Sequence, residues 1–113
     1  MPVDVAAMLT RALESSAAAA GVDASIVPAS AADWHMACFA GSRHEMTGEA
    51  EAGAALDRWL AALRDAELPL AGHFVADLAV AALTVTDGAA RFSIAALVLC
   101  DGVPACDHAA ATR

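Results

Sequence analysis

Apolar side chains along this chain repeat first with a helical period, then with a strand period, and then through both once more. Val5, Met8, Leu9, Ala12, Leu13 and Ser16 fall at successive three- and four-residue steps, one face of a 3.6-residue repeat, and predict a helix from about Val3 to Ala20. Asp4 is placed to cap it, because its carboxylate can accept from main-chain N–H groups of the first turn. Gly21 suits a left-handed stop. Val22, Ala24 and Ile26 then alternate with Asp23 and Ser25 until Pro28, which cannot donate to a ladder, so a short edge strand is expected.

Asp33 to Gly48 reads as a hairpin. A three-residue loop over Ala40–Ser42 is expected, because it puts Cys38 opposite His44 and Met36 opposite Met46; a two-residue turn at Gly41-Ser42 would mix apolar and charged faces. A second helix is predicted over about Glu49 to Ala66. Leu56, Trp59, Leu60 and Leu63 form its stripe, and Glu49 and Glu51 lie at the positive end of its dipole.

The strongest local signal is Asp87-Gly88, the preferred pair for a type I′ turn, set between two alternating apolar runs. Uninterrupted pairing from that turn matches Thr84 with Arg91, Ala82 with Ser93 and Leu78 with Leu97. One face then holds Val75, Asp77, Ala79, Ala81, Leu83 and Val85 against Cys100, Val98, Ala96, Ile94, Phe92 and Ala90, apolar but for Asp77. The other is polar near the turn and apolar at the base, through Phe74, Leu78, Val80, Leu97 and Leu99.

These elements predict an α+β domain of order αβββαββ. It is expected to be a two-layer sandwich, an antiparallel sheet of four or five strands with two helices on one face. Residues 1–102 form the predicted domain, with 103–113 a loosely ordered tail.

Composition narrows the function. Of 113 residues, 59% are hydrophobic, yet 33 are alanine, so the supply of large apolar side chains is ordinary. Lys, Asn, Gln and Tyr are absent. Three of these need A/T-rich codons, which points to a bacterial genome of high G+C content. A net charge of −8, with six scattered arginines, argues against nucleic acid and against an anionic membrane as partners. Cys38, Cys100 and Cys106 are odd in number and lack C-x-x-C spacing, which suits a reducing cytoplasm. Asp4, Arg11 and Glu14 interrupt the first apolar stretch, so no signal peptide is expected.

Candidate chemistry is sparse. Asp77 on an apolar strand face requires a partner or a proton if buried, and His73 precedes it on the same predicted face, so the two are candidates for a pocket. Cys38 across from His44 is a candidate thiol–imidazole pair. His35 would point to the opposite face, which leaves the pair without a third, orienting group. Cys106-Asp107-His108 is too tightly spaced to converge on zinc. Trp34 and Trp59 align with apolar stripes as core anchors. No nucleotide or hydrolase motif is present, and no cofactor, metal or catalytic residue is assigned.

The half-apolar face around Phe74, Leu78, Val80, Leu97 and Leu99 is the candidate interface, since contiguous exposed apolar surface marks association. The leading expectation is therefore a non-catalytic binding or assembly domain forming a homodimer, in which Leu78→Asp gives a folded monomer. One alternative is a small enzyme or a binder of a small apolar ligand, with a pocket near His73 and Asp77. Another is a chaperone-like binder of a partner polypeptide. Small, acidic, dimeric secretion chaperones share the element order and bind unfolded effectors on apolar patches. That likeness rests on order alone, without their closing helix or any shared residue motif.

Overall fold

The computed structural model describes residues 4–36 and 39–100, excluding the side chains of Met36 and Phe39. Cys38 and the expected tail, with Cys106, Asp107 and His108, lie outside the described residues. Helix α1 covers Val5–Ala19, strand β1 Ser25–Met36, strand β2 Phe39–Glu51 and helix α2 Ala54–Ala62, continued by a short 3-10 turn over Leu63–Asp65. Strands β3, His73–Thr86, and β4, Ala89–Cys100, complete the described elements. The four strands form one antiparallel sheet in the order β1-β2-β4-β3, so this is an α+β fold in which two local hairpins meet along a β2–β4 seam.

Helix α1 starts as its sequence dictates. The Asp4 carboxylate accepts from the Ala7 N–H at 3.1 Å, and Leu9, Ala12, Leu13 and Ala17 are buried on one face. Of the weak strand expected over Val22–Ile26 only Ser25 and Ile26 are strand, and they run on into the first arm of the expected hairpin, so the described residues hold four strands. Pro28 does not end β1. It is accommodated by a bulge at Ala29 on the sheet edge, where the register shifts between Pro28 and Ser30.

Continuity of β1 moves the first hairpin's turn. Met36 pairs with Phe39, Trp34 with Gly41, Ala31 with His44 and Pro28 with Met46. The expected loop over Ala40–Ser42 is therefore strand, and the residue opposite His44 is Ala31. This register gives eleven pairs and keeps His44, Met46 and Gly48 on the face that holds Ile94 and Phe92 of β4, so extending the ladder outweighs the local turn preference.

Helix α2 is shorter than its sequence suggests. Glu49, Ala50 and Glu51 extend β2, paired with Arg91, Ala90 and Ala89. Glu49 does not sit at a helix N-terminus; its Oε1 accepts from Arg91 Nη2 at 3.2 Å on the exposed face. Leu56, Trp59 and Leu63 are buried as predicted.

The turn at Asp87-Gly88 forms as predicted, with φ of 52° and 78° at its two residues. Pairing follows the expected register from Thr86–Ala89 to Ala82–Ser93 and then departs from it. Ala81 is bulged out, which pairs Val80 with Ile94 and Leu78 with Ala96; Ala76 is bulged out in turn, which pairs Asp77 with Leu97 and Phe74 with Leu99.

Side chains in one cross-strand row share a face. The inner face thus carries His44, Met46 and Gly48 of β2, Ala90, Phe92, Ile94, Ala96 and Val98 of β4, and Leu78 and Val80 of β3. Both helices reach it. Thr10 of α1 lies against Met46 Sδ, and the Trp59 ring of α2 meets Phe92 edge to face at 5.9 Å. Trp59 Nε1 also donates to Ser16 Oγ at 3.0 Å, which ties the helices together. Gly48 is required where it stands, because a Cβ there would enter the Phe92 ring.

Candidate functional site

Length decides what the helices can cover. At about 1.5 Å per residue the 15-residue α1 spans roughly 22 Å and the 9-residue α2 roughly 13 Å. The 14-residue β3 approaches 45 Å at about 3.3 Å per residue. Burial shows which parts are covered: Met46, Gly48 and the inner positions of β4 from Ala90 to Val98 are buried. On the outer two strands, cover is limited to one corner each, near Ile26 on β1 and near Leu78 on β3.

The uncovered corner of β3 is apolar. Leu83 and Val85 share the inner face with Phe92 and Ala90, yet stand 47% and 56% exposed. Between the bulge at Ala81 and the turn at Asp87, the segment Ala82–Thr86 is regular strand on the edge of the sheet, unpaired on its outer side among the described residues, with no charged residue in it. The opposite edge is managed differently. There β1 has Pro28, the bulge at Ala29, and the Ile26 N–H donating to Glu14 Oε2 of α1 at 2.9 Å.

The two bulges in β3 divide the expected interface. Leu78 turns inward and is 4% exposed, and Val80 also turns inward and is half-buried; neither lies on the outer face. Phe74, Leu97 and Leu99 keep outer positions. Leu99 is only 7% exposed, its side chain lying over Gly41, whereas Phe74 is 42% exposed beside the loop Ala66–Pro69. Of the five residues expected to form one patch, Leu78 and Leu99 are thus buried, Val80 and Leu97 are half-buried, and Phe74 alone is exposed.

The expected pocket is divided by the same geometry. The bulge at Ala76 puts His73 and Asp77 on opposite faces: His73 in the row of Cys100 on the inner side, Asp77 in the row of Leu97 on the outer. Asp77 is exposed, and an acid in water needs no buried partner. His73 is held locally, its Nδ1 donating to the Ala71 carbonyl at 2.9 Å.

His44 is the one strongly buried polar side chain among the described residues, at 3% exposure. Its Nε2 lies 2.6 Å from Ser42 Oγ, while Nδ1 has no hydrogen-bond partner. Burial lowers its pKa below the ordinary 6.5, against a smaller upward pull from the Asp4 carboxylate, so the neutral ring is favoured. Sequence reasoning found His44 but missed Ser42. The signal was a Ser-x-His spacing on a strand, which places both side chains on one face. A hydroxyl beside a neutral imidazole is the chemistry of an activated nucleophile. Here the imidazole is 3% exposed, leaving almost none of it open to a substrate, so the pair reads as internal hydrogen bonding.

Among the described residues no group of three or more His, Cys, Asp or Glu side chains stands together as a metal site, and no described helix is long and apolar enough to cross a membrane. No family model matches the chain, and neither a curated protein nor a solved structure matches it.

Proposed function

We propose that this chain is a non-catalytic binding and assembly domain that works as a homodimer in a bacterial cytoplasm. One observation carries the reading: Leu83 and Val85 stand in water on the same sheet face that elsewhere forms the core, at the free edge of β3. Strand edges of soluble domains are ordinarily interrupted by charge, proline or a covering element, and the segment Ala82–Thr86 has none of these within it. Exposed apolar surface on such an edge favours association. The burial of His44 and the separation of His73 from Asp77 weigh against an enzyme's pocket.

Native mass spectrometry and sedimentation velocity of the untagged protein test this reading. A dimer without added mass is the expected result. A chain that stays monomeric at every concentration, or a monomer that carries a bound small molecule, would overturn it.

A further inference from the structure

We infer that two copies join edge to edge through β3, antiparallel and centred on Thr84, so that the two sheets become one of eight strands. The inference rests on the proposed self-association and adds its site and register.

Main-chain groups fix which residues face outward. In a two-residue hairpin the pair flanking the turn exchanges both hydrogen bonds, so Thr86 bonds Ala89 and, two residues on, Thr84 bonds Arg91. The N–H and C=O groups of Leu83 and Val85 then point away from β4, toward the free edge. Rotation about a two-fold axis through Thr84 sets Leu83 of each copy against Val85 of the other. Each of these two pairs exchanges two hydrogen bonds, four in all. Thr84 meets the second copy's Thr84 as the close, non-hydrogen-bonded pair, and Ala82 meets Thr86.

Three features select a second copy as the occupant. First, the segment is self-complementary. The only large inner-face side chains of Ala82–Thr86 are Leu83 and Val85, and this register matches them to each other, while threonines and alanine fill the outer row. A shift by one residue would set an inner face against an outer one, and a shift by two would leave an apolar side chain unmatched. Second, charge permits it. The chain carries −8, yet this register brings no two carboxylates opposite each other: Asp87 falls beside Ala81 of the other copy, and Asp77 lies beyond the paired segment. Third, the ladder is self-limiting. The Ala81 bulge closes one end and the Asp87-Gly88 turn the other, so the contact forms a closed pair and not a growing fibre.

Cysteine cross-linking tests the register in a chain whose native cysteines are replaced by serine. Paired residues at a non-hydrogen-bonded position stand about 4.5 Å apart between Cα atoms, within the roughly 4.4–6.8 Å span of a disulfide. Under mild oxidant, Thr84→Cys is expected to form a covalent dimer about tenfold or more faster than Thr86→Cys, which shares its face and strand but meets Ala82 of the other copy. The double variant Leu83→Asp/Val85→Asp sets four carboxylates across the axis. It should sediment as a monomer while keeping the native circular dichroism spectrum and a cooperative unfolding transition, with a midpoint lowered by the loss of association. Equal cross-linking of the two cysteine variants, or a folded double variant that remains dimeric, overturns this register while self-association stands. A native chain that is monomeric throughout overturns both.

Discussion

His44 concentrates a pH response in one side chain. Burial depresses its folded-state pKa below the ordinary 6.5 of the unfolded chain. Between the two values the unfolded state binds more protons, so stability rises with pH there. The contribution is complete above about 6.5 and is lost as pH falls through the lowered folded value. Urea midpoints measured downward from neutrality should therefore fall for the native chain, and His44→Gln should remove that component; an unchanged slope in the variant would place the titrating group elsewhere. The sequence exposes such a residue only in part. An alternating strand makes His44 inward-facing, but its cross-strand neighbour follows from register, and the register depends on where the turn lies. The turn expected at Ala40–Ser42 put Cys38 opposite His44, whereas the residue across the ladder is Ala31 and the hydrogen-bond partner is Ser42, two residues away on the same strand.

At the scale of an element, β3 and β4 differ in how much of themselves they reveal. Strand β4 alternates Ala90, Phe92, Ile94, Ala96 and Val98 with Arg91, Ser93, Ala95 and Leu97, and its inner face was legible from the residues alone. Strand β3 kept its expected register only from Ala82 to Thr86, although Phe74 and Val75 stand on their expected faces. Alanine fits either face of a sheet, so nothing in Ala76 or Ala81 announces a bulge, and the chain from Asp77 to Val80 was assigned to the wrong sides. The correction reverses an expected phenotype. Leu78→Asp buries a carboxylate against the core and should cost more than about 3 kcal/mol in urea unfolding. A folded Leu78→Asp protein with an unchanged midpoint would contradict the inward placement. Helix α2 yielded its stripe to the same reasoning but not its start. Glutamates suited to a helix N-terminus fit the solvent face of a strand equally well, and pairing of β2 with β4 decided between the two.

Over the whole molecule, the balance between a long sheet and short helices leaves apolar surface at one corner, while the net charge of −8 opposes any contact between copies. Association through Leu83 and Val85 is thus hydrophobic and hydrogen-bonded, against a repulsive background that salt screens over about 10 Å at 0.1 M. Sedimentation equilibrium across a sodium chloride series should show the dimer tightening as salt is added. Weakening with salt would mean that ion pairs hold it. Fold class and helix stripes could be read from the sequence because period and turn chemistry are local. The extent of cover could not, because it depends on how far two helices reach across four strands.

The bulges give β3 an unusual relation to insertion and deletion. Elsewhere in a strand, removing one residue turns every side chain on one side of the cut to the opposite face. Ala76 and Ala81 are supernumerary, each standing beside a β4 ladder that is already continuous. Loss of either would leave Leu78 and Val80 inside and Asp77 outside, and loss of both would leave a strictly alternating strand. The two alanines behave as length that the strand can shed or acquire without a frameshift of its faces, giving this edge room to vary in twist and curvature while the core beneath it stays the same.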